Sequence, residues 1–393
     1  MSGKSINQYE LKLTNGLPPG CDSWEQFTSN PRQPRPPATP KRPVPQWPPR
    51  EERKGKWIKK YLDQLDPQTE YDQIIRTVVF FGPSAFAAAL SYAAIFAILT
   101  QPPAGAAAIH HGAKVVRRGH QRFYETQLQE FDWAWHGSGA PETAARIEQV
   151  NRIHAGIWKR VPGAYSAPFE GQMAIIGAAY FETLVRRSVG ARNEVDPKVK
   201  AAWAEWCERV VAHFRTEPSD GGRSYGVNFP RGWDECEAFF WWFDGMAFEE
   251  QSTPELLQKG HETAEAFIAQ FCELWFPRYF HWFGRALLLT FIPANCRRRQ
   301  RLGDPNPLLS GAIKLLVKLF LDVSDELLPD PVDPPMLQLR EELSSGIVAG
   351  GSLYSVDKTV KAYRAQQDKM VALVFASFFV VLPCVLYMSG RMG

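Results

Sequence analysis

The segment PETAARIEQVNRIHAGIWKR, residues 141–160, has the pattern of an amphipathic helix with a proline in its first turn. Ile147, Val150, His154 and Ile157 recur at the spacing that aligns side chains on one face of a helix. Only His154 in this apolar stripe can carry a proton or bind a metal. It is therefore either a core histidine with a local hydrogen-bond partner or a histidine that faces a group requiring an imidazole.

Helical patterns also dominate the rest of the chain. DPKVKAAWAEWCERVVAHF and STPELLQKGHETAEAFIAQFCELW each begin with a capping signal and keep a 3.6-residue period. Convincing period-two runs are absent from the sequence. With 393 residues, of which 45% are hydrophobic and 13% aromatic, the chain can build one large core or two small ones. We therefore predict an all-α fold.

Composition and spacing exclude several functional classes. A formal net charge of +3 does not favour a nucleic-acid partner. Six cysteines are scattered without a CxxC pair, which indicates reduced thiols facing the cytosol rather than a disulfide framework. HETAE, residues 261–265, carries one of the two histidines that an HExxH zinc site needs, and so is better interpreted as an exposed helix face. The first residues, MSGKSINQYELKL, lack the apolar core of a secretory signal.

Two regions of the first 113 residues stand out by composition. Residues 1–50 are rich in proline and poor in aliphatic side chains, which predicts a disordered or polyproline II arm. Residues 77–113 carry no charge, and within them SAFAAALSYAAIFAILT is long enough to span a bilayer. This stretch is rich in alanine rather than leucine. It is therefore either a transmembrane helix or a buried helix of a large α-helical domain.

Near the C-terminus, MVALVFASFFVVLPCVLYM, residues 370–388, is uncharged and close to the spanning length. Four basic residues precede it, against one that follows. We predict a transmembrane helix at 369–389 with the main domain in the cytosol, joined by a helical connector at 336–368. A buried terminal helix is the alternative. The basic cluster RRRQR, residues 297–301, is either a solvated helix end or a site for a headgroup or phosphate.

Polar side chains that suit a haem pocket precede the histidine stripe. In VVRRGHQRFYETQLQEF, Arg118, Arg122 and Thr126 follow at i, i+4 and i+8, so one helix face offers two guanidinium groups and a hydroxyl. An imidazole among apolar side chains suits an axial haem ligand, because haem is a large apolar plate that takes one nitrogen donor. Arginines can pair with haem propionates, and threonine can donate to a bound oxygen. Ordinary surface charge is the alternative for the arginines.

In order and spacing, these motifs resemble a known family. RFYET, VNRIHAG, the tyrosine-containing loop VPGAYSAP, the helix GQMAIIGAAYFETLV and the late segment LLLTFIPANCRRRQRLG carry the resemblance, which covers roughly residues 62–328. They are similar to the catalytic domain shared by the ER-bound oxygenase of mycophenolate biosynthesis (mpaB-type) and the rubber oxygenases called latex-clearing proteins.

The resemblance implies a globin-like all-α domain, residues 51–335, that binds haem b through His154. Arg122 and Thr126 would lie near the haem, with Arg118 and Arg122 as cofactor-binding residues. The family cleaves apolar prenyl chains with O2, so we expect a haem-dependent oxygenase at a membrane, with the ER preferred. The resemblance also favours a buried position for the SAFAAALSYAAIFAILT helix.

One position departs from the family pattern. Latex-clearing proteins have a lysine before the threonine, whereas this chain has Glu125, which could act as a base or a weak distal ligand. That difference leaves substrate and reaction type open. The alternative function is a non-catalytic, membrane-tethered α-helical protein that binds haem or lipid.

Overall fold

A computed structural model of the protein describes residues 17–19, 21, 23, 30–37 and 47–371, except residues 113, 166, 217–221 and 349–350. The described part is mostly helical, which confirms the all-α class. Its only paired strands form one short antiparallel hairpin, β1 (Ile347–Val348) and β2 (Gly351–Ser352), in which Ile347 pairs with Ser352 and Val348 with Gly351.

The helices of the described residues follow one another with short connections. In chain order they are α1 (Trp57–Leu62), α2 (Tyr71–Phe81), α3 (Ala85–Leu99), α4 (Pro103–Gly112), α5 (Lys114–Arg117), α6 (Gly119–His136), α7 (Pro141–Trp158), α8 (Pro168–Val189), α9 (Pro197–Val211), α10 (Trp233–Gly245), α11 (Pro254–Trp275), α12 (His281–Phe291), α13 (Ala294–Arg299), α14 (Pro307–Glu326), α15 (Pro335–Ser344) and α16 (356–371).

Helix α11 lies at the centre of the packing, against α3, α4 and α12, while α8 packs on α3 and α10, and α2 packs on α9. Helix α3 is the alanine-rich segment, and eight of its 15 residues are buried. Alanine leaves room for neighbouring helices to approach, so α3 is a core helix along most of its length. Within the described residues, no single helix is long and apolar enough to cross a membrane. The pair α2–α3 passes that test only together, and it is bent by 110°.

Helix starts follow the capping chemistry in the sequence. Pro141, Pro197 and Pro254 occupy the first turns of α7, α9 and α11. The Asp196 side chain accepts a hydrogen bond from the Lys198 N–H, and Thr253 accepts one from Leu256, so both caps satisfy free donors of the first turn.

Part of the proline-rich arm is held against the helical domain, so of the two predicted states, disorder or polyproline II, disorder does not hold for residues 30–37. Arg35 forms ion pairs with Glu205 at 2.9 Å and Glu208 at 2.6 Å, and both carboxylates are buried. The Arg32 carbonyl accepts from the Asn228 N–H at 2.8 Å. Composition misled here because arginines, rather than aliphatic side chains, provide the contacts. Trp47 also docks, with its ring centroid 4.8 Å from that of Phe81.

The region predicted as a connector, residues 336–368, is packed on the domain. Met336, Leu343, Val348, Val356 and Val360 are buried in the main hydrophobic core. These apolar side chains recur through α15, β1 and α16, so the region is part of the core of the domain. Of the predicted transmembrane segment at 369–389, all but residues 369–371 lie outside the described residues, as do most of residues 1–50.

The basic cluster at 297–301 is used within the protein. The Arg297 guanidinium donates to the Leu289 carbonyl at 3.1 Å, where α12 ends. Arg299 is buried and donates to Glu249 at 2.6 Å. These contacts favour the helix-end interpretation over a phosphate site. None of the five described cysteines forms a disulfide, and all five are buried.

Candidate functional site

A cavity of about 2280 Å³ lies between α3, α6, α7, α8, α12 and α14. Its lining is largely apolar, with Phe96, Ile157, Ile175, Leu287 and Phe291 among the wall residues. Ligand pockets typically enclose about 300–1,000 Å³, so this cavity exceeds what one small molecule needs. It has room for a flat cofactor together with an apolar chain.

The apolar stripe of α7 forms one wall of this cavity. Val150, Ile153, His154 and Ile157 line it, whereas Ile147, one turn earlier, is fully buried in the core. Across its 18 residues, α7 buries only Thr143 and Ile147. The apolar stripe predicted a helix face that is turned away from bulk water. From Val150 onward that face lines the cavity instead of packing against another helix.

The imidazole of His154 is stacked on the phenol ring of Tyr165, with ring centroids 3.8 Å apart and planes 8° from parallel. Its Nδ1 is buried and has no hydrogen-bond partner among the described residues. Burial, aided by the positive charge of Arg122, lowers the pKa of His154 to about 4. The ring is therefore neutral at physiological pH, which is the form that binds metal.

The other histidines are placed differently. All eight are described, and none except His154 lines the cavity. Six have side-chain hydrogen bonds to protein groups: His110 to Glu262, His120 to Glu273, His136 to Arg340, His213 to Ser138, His261 to Gln300 and His281 to Phe276. His111 is exposed. His154 is therefore set apart from structural histidines by both position and bonding.

Tyr165 is held over His154 by the loop that joins α7 to α8. Its φ is +57°, a left-handed conformation that a tyrosine rarely adopts, and its carbonyl accepts from the Tyr225 hydroxyl at 3.2 Å. Burial raises the pKa of Tyr165 to about 12, so the phenol stays protonated. The sequence displayed this tyrosine within VPGAYSAP, but its stacking depends on a strained loop that local patterns do not reveal.

Arg122 and Thr126 project from α6 into the same cavity. The Arg122 guanidinium carbon lies 4.4 Å from the ring centroid of Phe96 and 5.0 Å from that of Phe267, and the group donates to the Tyr92 hydroxyl. The Thr126 hydroxyl donates to the Arg122 carbonyl at 3.0 Å. Among the described carboxylates, none forms an ion pair with Arg122. A cation on an apolar wall without a counter-ion favours an anionic group on the ligand.

Arg118 and Glu125, the other predicted site residues, have different surroundings. Helix α6 begins at Gly119, and Arg118 is its non-helical N-cap residue, exposed and away from the cavity wall. The i, i+4 spacing to Arg122 assumed a helix that is interrupted at this residue. Glu125 does line the cavity, but it forms an ion pair with Lys114 and accepts from the Gln121 amide at 2.7 Å.

Two further carboxyl groups on the cavity wall have a raised pKa, and the sequence did not single out either one. Burial raises the pKa of Glu170, on α8, to about 8, and that of Glu130, on α6, to about 7. Both groups are thus largely or partly protonated near neutral pH. Glu170 lies in the first turn of its helix, where an acidic residue is normally explained by the helix dipole, so its position gave no signal.

Comparison with known proteins leaves the family resemblance as a hypothesis. The sequence matches no family model and no curated protein.

The described residues do not offer a metal site made of several protein ligands. They contain no group of three or more His, Cys, Asp or Glu side chains placed to hold a metal ion. A haem iron needs only one axial imidazole, with apolar walls and a cation for its carboxylates. His154, the apolar lining and Arg122 supply those three features, so the residues present fit haem b.

Proposed function

We propose that the protein is a haem b-dependent oxygenase, built on a globin-like domain, that oxidatively cleaves or oxygenates a prenyl or similar apolar chain at a membrane. The observation that carries the proposal is His154. Its imidazole is neutral and lies on the wall of an apolar cavity, and its buried Nδ1 has no hydrogen-bond partner among the described residues. Tethering at the ER, with the domain facing the cytosol, is part of the same proposal and rests on the sequence.

In this function His154 would hold the haem, and Arg122 would pair with a carboxylate of the cofactor. When bound, haem supplies the oxygen chemistry that a chain of ordinary side chains lacks. The stack against Tyr165 fixes the plane of the imidazole, so the ligand is oriented before the cofactor binds.

The polar groups on the α3 and α6 side orient the reacting end of a substrate. The hydroxyls of Tyr92 and Thr126 lie close to the side chain and carbonyl of Arg122. Three hydrogen-bond donors are thus grouped in a region otherwise lined by apolar side chains. Glu170, whose pKa is about 8, keeps a proton on its carboxyl oxygen at neutral pH and can release it to a developing anion. The apolar walls exclude water and hold the chain.

Glu125 takes no direct part in this scheme. Its carboxylate is neutralised by Lys114 and hydrogen-bonded by Gln121, so release from both partners would have to precede any role as base or distal ligand. Lys114, on α5, contacts the side chain of Glu125, the position at which latex-clearing proteins carry a lysine.

The test is an absorption spectrum of the full chain expressed with haem supplied. The wild type should show a Soret band, and His154→Ala should lose it while remaining helical, since the strongest bond to the cofactor is gone. Added imidazole should restore part of the band. The matched control is His111→Ala, which removes an exposed histidine away from the cavity and should keep full occupancy. Full haem occupancy in His154→Ala would contradict the assignment.

Arg122→Ala and Thr126→Ala extend this test to the part of the cavity wall formed by α6. Both should keep the Soret band and consume O2 more slowly with a prenyl substrate, because they orient groups rather than bind iron. Loss of haem in Thr126→Ala would reassign Thr126 to cofactor retention. Loss of haem in Arg122→Ala would mean that the pairing of Arg122 with a haem carboxylate is required to retain the cofactor.

A second candidate is a non-catalytic protein that binds haem or lipid. The observation in its favour is that the cavity continues to an exposed apolar helix face on α14, an arrangement that also suits a lipid carrier. A protein without a Soret band that retains lipid through purification would favour this candidate over the oxygenase.

A further inference from the structure

Helix α14 presents an apolar face on the outside of the protein. Leu315, Leu316, Leu319 and Phe320 are each more than half exposed, at 57%, 59%, 51% and 66%. With Leu308 and Val323 they recur at intervals of three, four and seven residues, so they share one face. Of the helix's 20 residues, only Ile313 and Asp322 are buried.

Leu309, Ile313 and Val317 of α14 pack on the core, and charged residues of the helix form ion pairs beside them. Lys318 pairs with Asp322 at 2.6 Å on the helix itself, and Asp325 pairs with Arg186 of α8 at 2.6 Å. Glu326 pairs with Arg192 at 3.0 Å. A surface helix bathed in water normally buries its apolar side and exposes its charges. Eight of the twenty exposed large hydrophobic side chains among the described residues lie between 308 and 328, which marks the face as a contact surface.

The large cavity continues to this same face. Leu316, Phe320 and Leu328 line the cavity and are also exposed on the outside of the protein. An apolar ligand could therefore pass from a surface covering α14 into the cavity without crossing water. This continuity favours an occupant that itself contains apolar small molecules, rather than a rigid protein partner.

The position of the end of α16 gives the second argument. The backbone N–H of Arg278 donates to Asp368, near the end of α16, at 2.7 Å. The next residues of that loop, Tyr279 and Phe280, and then Trp282 of α12, are exposed aromatics, and α12 packs on α14. After residue 371 the sequence continues for nineteen residues without a charge, up to Arg391. Aromatic side chains beside an apolar stretch are typical of the membrane interface.

From these contacts we propose that the exposed apolar face of α14 docks on a lipid bilayer, and that the cavity opens into the lipid there. The face lies in the interfacial region, with leucine and phenylalanine side chains among the upper acyl chains. A substrate of the prenyl class would enter sideways from the membrane. The docking itself does not depend on haem, so it can hold or fail separately from the oxygenase proposal.

The experiment uses the full chain carrying Cys384→Ser, because the five described cysteines are buried. One fluorophore is attached at Leu319→Cys, and the control label at Ile347→Cys, on β1, where the side chain has the same exposed fraction of 51%. The protein is reconstituted into phosphatidylcholine vesicles with or without brominated acyl chains. Bromolipid should quench the label at 319 at least threefold more than the label at 347.

A charge placed on the face provides a second measurement. Phe320→Asp should reduce bromolipid quenching of the 319 label while the far-ultraviolet circular dichroism stays unchanged, since a carboxylate resists insertion among acyl chains. Equal quenching at 319 and 347 would overturn the proposal. So would energy transfer between 319 labels on different molecules, which indicates a second copy. Protection of the 319 label from both bromolipid and aqueous iodide would also overturn it, since the C-terminal stretch would then cover α14.

Discussion

Helices α11 and α7 start alike and end in different environments. Each begins with proline and carries an apolar stripe, but α11 buries nine of its 22 residues, whereas α7 buries two of 18. The α11 stripe packs on α3 and α4, and the second half of the α7 stripe lines the cavity. Apolar periodicity therefore indicates that a face avoids bulk water, but it does not show whether protein or ligand covers that face.

The comparison is tested most strongly by truncating one large side chain on each helix. Phe271 of α11 is fully buried, with its ring 5.6 Å from that of Phe86. Phe271→Ala should lower the free energy of unfolding by about 3–5 kcal/mol, because the packed neighbours cannot fill the space. Ile153→Ala on α7 removes a side chain that is 60% exposed and lines the cavity, and should cost the haem-free protein less than about 0.5 kcal/mol.

Urea titration of both haem-free variants measures this difference. Similar losses for the two would mean that the cavity wall of α7 is as tightly packed as the core. A larger loss for Ile153→Ala in the presence of haem than in its absence would show that the cofactor covers this face.

Adding one methyl group to each helix is the next test. A Cβ on Gly260 of α11 would lie 2.8 Å from Gln300 Oε1 and 3.1 Å from the Thr100 carbonyl oxygen. Gly260→Ala should therefore lower the unfolding free energy by about 1–3 kcal/mol through overpacking. A Cβ on Gly156 of α7 meets nothing within 4 Å, so Gly156→Ala should raise stability by up to about 1 kcal/mol through helix propensity. Thermal unfolding of both variants should move in opposite directions, and two shifts of the same sign would refute the contrast.

The smallest expected effect concerns the ionisation of the cavity wall. The pKa of Glu170 is raised to about 8, so the folded protein keeps a proton that the unfolded chain releases above its ordinary pKa of 4.5. The stability linked to this group is present below about pH 4.5 and is lost as pH rises through about 8. Glu170→Gln cannot ionise. As pH rises from 6.5 to 8.5, its free energy of unfolding should therefore fall by about 1–2 kcal/mol less than that of the wild type.

Unfolding free energies at several pH values check this prediction, and parallel curves for wild type and variant would contradict it. The window above pH 6.5 avoids His154, whose lowered pKa of about 4 acts in the opposite direction, reducing stability as pH falls below about 6.5. Some slope should remain in the variant because the pKa of Glu130 is also raised, to about 7.

The sequence predicted the local features of this protein better than its interior. Helix starts at Pro141, Pro197 and Pro254 follow from capping and proline chemistry, which act within a few residues. His154 could be singled out because a polar ring interrupts an apolar period. In contrast, the Tyr92–Arg122 contact joins α3 to α6, and the Lys114–Glu125 pair joins α5 to α6. Such contacts depend on how whole helices are arranged, which no short pattern records.

Arg118 shows the limit of a periodic argument within one segment. Its spacing to Arg122 and Thr126 predicts a shared face, but the helix is interrupted at this residue, between α5 and α6. A one-residue interruption turns the side chains before it away from the face that Arg122 and Thr126 share. The glycine in RRGHQR, Gly119, is a weak sign of such an interruption. The contacts of residues 30–37 could not be predicted for a different reason, since they are made with buried carboxylates that lie far along the chain.

That arm sets an order of events during synthesis. Arg35 precedes Glu205, one of its two partners, by 170 residues. At about 5–20 residues per second, ribosomal synthesis separates the two by roughly ten to thirty seconds. The early helices therefore emerge and begin to pack before the arm has anywhere to bind. Until then Glu205 and Glu208 have not been made, and once made they lack this counter-charge until the arm returns. The arm can therefore bind only after α9 has been made, over helices that precede α9 in the chain.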